Sequence, residues 1–484
     1  MDPRDSYALA LQGDFRSALA FLEHAKLDDP WRAILRAECA LAGLASPEPI
    51  DWPASPELRT HLAESTARVA VLRRDATLLR QCADAHPTGL PQGWHALLFG
   101  NVGEVKNALT DAARSPRPAV RIEAASLAAF AHARTGNLRD ATAAARRASR
   151  MARTEGLPQS QYIANLALAH VRRLAGQPSL ALRILAGLAR VVPPLWQPWI
   201  AWETALSGRA PAADDEISRA WNAIFEQRAD NAWPALQRVA AAWPMYEGSL
   251  RPVRAAFDVT VPPPPSIADF LSGRSNEVPP LLAGFFISPD GSSRDTPRAY
   301  LVINRADVRR VAVHAKASLA HLPCVEATDR VALALSVFAT TRSGRREAIF
   351  RAIYGFPFDP DLHVGVLHTL LYRARQALGD VGEIVTGPEE WRLNVHKVCY
   401  LADAQCEESL EERMMRFLAR AERKSAKEAS SSLGISLRSA QETLARLVHE
   451  GAVASQKSGR RVAYRVEDTT FQEPTGWGSS NAPR

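Results

Sequence analysis

A short run near the C-terminus carries side chains suited to reading a polyanion. Ser436, Arg438, Ser439, Gln441 and Glu442 stand within seven residues, and Arg446, Lys457, Ser458, Arg460 and Arg461 follow. An Arg presents a fork of donors that matches two acceptors on a guanine edge, and a Gln presents a donor and an acceptor that match adenine. Lys and Arg on a loop tip suit phosphate oxygens instead. The chain of 484 residues holds 59 Lys and Arg against 52 Asp and Glu, a net charge of +7. Within residues 410–466 twelve are basic and six acidic, so nearly the whole excess sits in one segment. Such a patch on an otherwise balanced chain points to a polyanionic partner, although a merely solvated basic surface would give the same count.

The elements around these residues are legible. Residues 412–422 read as an amphipathic helix with Met415, Phe417 and Leu418 inward. Ser425 is a good N-cap for a second helix, with Glu428 at the capping-box position. Gly434 ends that helix and Ser436 caps a third, over residues 437–449. The third helix places Leu437, Ala440, Leu444, Leu447 and Val448 on one face and Arg438, Ser439, Gln441, Glu442 and Arg446 on the other. Gly451 stops it, and residues 453–455 and 461–466 read as two short strands flanking a basic tip at 456–460.

This order of helix, helix, four-residue turn, helix and basic hairpin resembles the winged helix-turn-helix family of bacterial transcription regulators, over about 57 residues. The resemblance implies that the third helix enters the major groove of double-stranded DNA. Ser436, Arg438, Ser439, Gln441 and Glu442 would then reach base edges, and Arg446, Lys457, Ser458, Arg460 and Arg461 would grip phosphates or the minor groove. Residues 329–401 follow the same grammar with almost balanced charge. Helices are expected at 329–339, 344–355 and 361–378. The third buries Leu367, Leu370, Leu371, Ala374 and Leu378 and exposes His368, Thr369, Tyr372, Arg373 and Gln376. A hairpin follows at 383–386 and 391–395, where Glu390-Trp391-Arg392-Leu393 stands for a glycine-aromatic-arginine-leucine strand. The segment resembles the effector domains of OmpR-type response regulators and SARP-type activators, which makes His368, Thr369, Tyr372, Arg373 and Gln376 a second DNA-binding set. A degenerate wing packed on its neighbour is the other reading.

From residue 6 to about 248 the chain is rich in Ala, Leu and Arg at helical spacing. A phrase recurs: Gly13, Gly103, Gly136 and Gly176 are each followed five residues later by Ala, at Ala18, Ala108, Ala141 and Ala181. Gly permits a tight turn between helices, and the small Ala lets the second helix approach its partner. Residues 13–25 (GDFRSALAFLEHA) resemble the tetratricopeptide repeat family, and 136–148 do so nearly as well. The phrases at Gly103 and Gly176 depart from it, with Ser115 and Leu188 in place of the later Ala. The resemblance implies stacked helix pairs and a concave surface for a protein or peptide partner. The cluster Trp196, Trp199, Trp202, Trp221, Trp233 and Trp243 reads either as the core of a capping repeat or as a peptide-binding patch.

The expected organisation is therefore mainly α. A tetratricopeptide-like helical domain (1–250) is followed by a Pro-rich linker (251–280), a small partly β leader (281–327), an OmpR- or SARP-like winged-helix domain (328–402), a winged helix-turn-helix domain (408–467) and a disordered tail (468–484). Five scattered cysteines form no C-x-x-C pair, and the sequence holds no P-loop, H-E-x-x-H or G-x-S-x-G motif. No catalytic site, metal or cofactor is expected. Paired carboxylates such as Asp214-Asp215 and Glu389-Glu390 read as solvated charge. With no apolar run long enough to span a bilayer and no secretion signal, the expected setting is cytoplasmic and nucleoid-associated, without a membrane partner. Winged-helix regulators are often dimers, and a homodimer is compatible with the sequence, although no pattern marks its interface. The alternative is a repeat-based interaction scaffold whose winged helices contact protein or bind DNA without sequence preference.

Overall fold

Local signals of caps, turns and Ala-rich stripes make most of this chain helical, with few strands. The computed structural model describes residues 3–24, 30–45, 50–135, 137–175, 177–212, 215–226, 232–243, 246, 250, 284–287, 329–341, 343–380, 382–388, 390–396, 399–402, 408–419, 423–458 and 461–467. Gly136, Gly176, Arg460, the linker at 251–280, most of the leader at 281–327 and the tail at 468–484 lie outside the described residues. The chain divides into two units. One joins residues 1–173 and 178–262 to 408–484, and the other holds 174–177 and 263–407. The C-terminal helices thus belong to the same unit as the N-terminal ones.

The first unit opens with α1 (Pro3–Leu11), α2 (Phe15–His24), α3 (Pro30–Leu41), α4 (Pro56–Arg73), α5 (Ala76–Ala85), α6 (Leu90–Leu98) and the short α7 (Val105–Ala108). It continues with α8 (Pro118–Arg134), α9 (Leu138–Glu155), α10 (Pro158–Leu174), α11 (Pro178–Val191), α12 (Gln197–Leu206), α13 (Glu216–Phe225) and α14 (Trp233–Ala242). Side-chain caps start several of them. Asp75 accepts from the Leu78 N–H, Asn137 from that of Asp140, and Asp215 from those of Ile217 and Ser218. Asp215 is therefore a cap rather than free solvated charge. Gly13, at φ +88°, makes the left-handed turn from α1 to α2. Ala18, Ala141 and Ala181 are fully buried, as close helix approach requires. The phrase at Gly103 differs. It lies in a 3₁₀ turn before a four-residue helix, where Ala108 is only half-buried.

Simple nearest-neighbour stacking does not describe the array. The Trp243 indole N–H donates to the Val71 carbonyl, 3.0 Å away and 172 residues back. A side chain at Gly13 would strike Pro158, and one at Gly43 would meet Pro194. Late helices therefore pack against early ones. Of the six clustered tryptophans, all but Trp233 are buried, and Trp199 stacks near Trp94, Phe130 and Trp243. They are core, not a surface patch.

In the second unit, α15 (Asp329–Thr341), α16 (Arg346–Tyr354) and α17 (Pro360–Leu378) surround an apolar core with Ile384, Trp391 and Leu393 from the strands. Strand β1 (Gly284–Ile287) pairs antiparallel with β5 (Cys399–Ala402). A three-stranded sheet places β4 (Trp391–Val395) between β2 (Ser343–Gly344) and β3 (Gly382–Thr386). Residues 343–344 thus form an edge strand, not the start of the second helix. The strand-like stretches expected at 299–303 and 308–313 lie outside the described residues. What is described of the leader is β1, laid against the end of the same unit.

The C-terminal segment holds α18 (Leu410–Leu418), α19 (Ala426–Leu433), α20 (Leu437–His449), β6 (Val453–Ser458) and β7 (Arg461–Val466). Met414, Met415 and Leu418 face its core, while Phe417, expected inward, is half-buried. Among the described residues no helix is long and apolar enough to cross a membrane. Cys39 and Cys82 are buried free thiols, and burial pushes them up to about 11 and about 12, so neither is poised to react.

Candidate nucleic-acid interface

Helix α20 is presented by the turn before it. Ser425 caps α19 through a reciprocal capping box with Glu428, and Gly434 closes α19 at φ +66°. The chain then reverses, and the Ser436 hydroxyl accepts from the Ser439 N–H at 3.1 Å to start α20. Ser436 therefore holds its hydroxyl in the cap. Replacing Ser425 with Ala should cost about 1 kcal/mol of stability in this segment, read as a lower denaturant midpoint with an unchanged slope.

One face of α20 is buried through Ala440, Thr443, Leu444 and Leu447. Leu437, expected on that face, is 46% exposed, because as the first helical residue it lies beyond the core's edge. The opposite face is open. Arg438 is 89% exposed and among the described residues pairs only with Glu442, one turn on, at 2.9 Å. An exposed i,i+4 pair of this kind is worth only a few tenths of a kcal/mol, so a base edge can displace it at little cost. Gln441 is exposed and makes no hydrogen bond among the described residues, and Ser439 is half-exposed. Arg446, expected to hold phosphate, pairs instead with Glu411 at 2.8 Å while remaining half exposed.

The hairpin is longer than the sequence suggests. Pairing runs from Val453↔Val466 to Ser458↔Arg461, so Gln456, Lys457 and Ser458 are strand residues and only 459–460 lie between the strands. Lys457 is exposed in β6. A feature that the sequence hides anchors this hairpin: Lys424 and Tyr464 exchange backbone hydrogen bonds at 3.0 and 2.8 Å, a bridge just ahead of α19. It brings Arg423 and Lys427, both exposed, beside the hairpin as further cations facing solvent.

Behind this surface lies a mount that no motif announces. Helix α9 packs a stripe of buried alanines inward and carries Arg146, Arg150 and Arg153 at spacings of four and three, on one side of the helix. Arg146 bonds Glu412 of α18 at 3.1 Å, Arg153 bonds Glu450 at 3.2 Å, and Arg150 lies 3.9 Å from Glu411. Arg172 of α10, fully buried, also donates to Glu412. Glu412 is at the same time the capping-box partner of Ser409. Burial alone would raise its carboxyl, but Arg172 and Arg146 hold it at about 2. Three of the six acidic residues in 410–466 thus face the arginines of the array. The acidic edge of the segment is covered and its basic face is left outward. From Glu450 to Arg438, twelve residues along the helix, is roughly 18 Å, so the mount does not crowd the open end of α20.

In the second unit, α17 buries Leu367, Leu370, Leu371, Ala374 and Leu378 and exposes His368, Thr369, Tyr372, Arg373 and Gln376. Its open face is partly apolar, since Leu362, Val366 and Tyr372 are also exposed there. The Gln376 amide donates to the Tyr372 hydroxyl at 2.8 Å and the Thr369 hydroxyl to the Gly365 carbonyl, so three members of the set are engaged locally. No protein-family model matches this chain, and no match was found among curated proteins or among solved structures.

Proposed function

We propose that this chain is a DNA-binding transcriptional regulator, a binding protein with no catalytic step, cofactor or metal. In this reading residues 408–467 are a winged helix-turn-helix reader, 328–402 a second winged-helix-like module, and the N-terminal helices a tetratricopeptide-like domain that takes a protein or signal partner. The observation that carries it is the open face of α20, where Arg438 and Gln441 stand exposed at the capped end of a rigidly turned helix. Ser439 and Glu442 complete the base-reading set, and Lys457 and its hairpin neighbours supply phosphate contacts. Such a protein works at the nucleoid, in the cytoplasm.

The test is selection of the full-length protein against a random duplex pool, repeated across salt. A short motif that survives moderate salt supports the reading, and a palindromic motif adds a homodimer. Steeply salt-dependent binding without a motif overturns it in favour of a scaffold that holds DNA by charge alone. Arg438→Ala and Gln441→Ala should each weaken the selected site by about 1–3 kcal/mol and relax preference at one base pair. Lys457→Ala should weaken all sequences alike and lower the salt slope by about 1, which filter binding across salt will read directly.

For α17 a different reading is favoured. Its open face mixes Leu362, Val366 and Tyr372 with the expected polar set, which suits contact with protein better than entry into a groove.

A further inference from the structure

Helices α1, α3, α4 and α8, with the end of α9, wall a half-open cavity of about 460 Å³ in the N-terminal array. That volume is in the range of small-molecule sites. Three rings form one side. Tyr7 meets His61 edge-on at 5.1 Å and Trp31 at 5.8 Å, and Trp31 lies 5.6 Å from His61. The cations in the walls have partners. Arg68 forms ion pairs with Glu38 at 3.1 Å and Glu123 at 3.2 Å, and Arg117 bonds both oxygens of Glu64 at 2.7 and 2.8 Å. The Trp94 indole takes the other oxygen of Glu123 at 2.6 Å. The other charged lining residues are also paired, Arg4 with Glu57 at 3.2 Å in the exposed rim and Glu155 with Arg121 at 3.5 Å.

Two polar groups stand beside the rings. Tyr7 is 8% exposed, yet its hydroxyl has no hydrogen-bond partner among the described residues. His61 receives Arg117 at Nδ1, 3.0 Å away. A guanidinium can only donate, so Nδ1 accepts and the ring proton sits on Nε2. Burial and the Arg117 cation push this imidazole down to about 4, which keeps it neutral at physiological pH. The Nε2–H has no partner among the described residues. An unpartnered hydroxyl and N–H that open onto the cavity beside three rings are complementary to a flat molecule with one acceptor.

We propose that this cavity binds an uncharged, planar aromatic small molecule, seated on the Tyr7, Trp31 and His61 rings, whose carbonyl or hydroxyl oxygen accepts from His61 Nε2–H and the Tyr7 hydroxyl. The site is independent of the DNA-reading proposal, and its test does not involve DNA.

Coumarin serves as the probe, in equilibrium dialysis against the full-length protein. Naphthalene-2-sulfonate, of similar ring size but anionic, is the control. Saturable binding of one coumarin per chain is expected, with the sulfonate at least about tenfold weaker because the deep cations Arg68 and Arg117 are already neutralised by Glu38, Glu123 and Glu64. Tyr7→Phe should weaken coumarin about fivefold by removing one donor, with the thermal transition preserved. Ala8→Trp, an exposed cavity-lining position on α1, should block the site while leaving the array folded. Absence of saturable coumarin binding, equal binding of the sulfonate, or binding unaffected by both variants would overturn the proposal.

Discussion

Glu412→Gln is expected to loosen the C-terminal helices from the N-terminal array while leaving both folded. Glutamine keeps an acceptor for the Ser409 N–H, so the capping box that starts α18 survives. What disappears is the negative charge between Arg146 and the fully buried Arg172. The difference between about 2 in the folded protein and the ordinary 4.5 corresponds to about 3 kcal/mol of stabilisation. Hydrogen exchange at α18 and along the outer side of α9 should therefore speed by roughly a hundredfold through local opening. Ser409→Ala is the control. It removes the cap and keeps the charge, and should cost only about 1 kcal/mol, confined to α18. Unchanged exchange at α9 in Glu412→Gln would show that the arginines do not hold this segment.

The same contact sets a pH window. The Glu412 carboxyl is depressed in the folded state, so its stabilisation is fully present above about 4.5 and is lost as pH falls towards about 2. Exchange at the mount should accelerate across that interval in the native chain and stay flat in Glu412→Gln. A like acceleration in both would assign the acid response to other carboxylates.

The contrast between the open face of α20 and its mount shows what a sequence can disclose. Helix α20 runs from Leu437 to His449, as expected, because its limits are written locally: a serine cap, a glycine before it and a glycine after it. The alternation of buried and open positions along α17 is legible for the same reason, since helical period alone decides it. Leu437 departs because period says which side a residue faces and not where the core ends. The partners of Glu412 could not be read, as they lie 240 and 266 residues away and depend on how the fourteen described N-terminal helices pack. Nor could the Lys424–Tyr464 bridge, which is made by backbone atoms common to every residue. The aromatic cavity was hidden likewise: Tyr7, Trp31 and His61 are ordinary helix residues until α8 and α9 return against α1. In the glycine phrases the local turn was legible, but the following helix at Gly103 shortened to four residues, a tertiary outcome.

A second large effect is expected from Glu203→Ala, at the centre of the array. Glu203 is fully buried and accepts from Arg173 Nε at 2.8 Å, lies 2.6 Å from His170 Nδ1 and receives the Tyr246 hydroxyl. Burial opposes its ionisation, yet Arg173 and His170 draw the carboxyl far below its usual range. Removing it strands a buried guanidinium, which costs about 3–5 kcal/mol, far more than the packing lost with the side chain of an exposed glutamate. The urea midpoint of the first unit should fall accordingly. The consequence reaches the mount because Arg172 and Arg173 are neighbours on α10 that face different ways, one to Glu412 and the other to Glu203. Loosening α10 from inside should speed exchange at α18 as well as in the core, whereas Glu412→Gln should speed it at the mount alone. In the double variant the two losses should add to less than their sum at α18, since both act through the same turn of helix. Full additivity there would mean that the core network and the mount are held independently, and that α10 does not carry strain from one to the other.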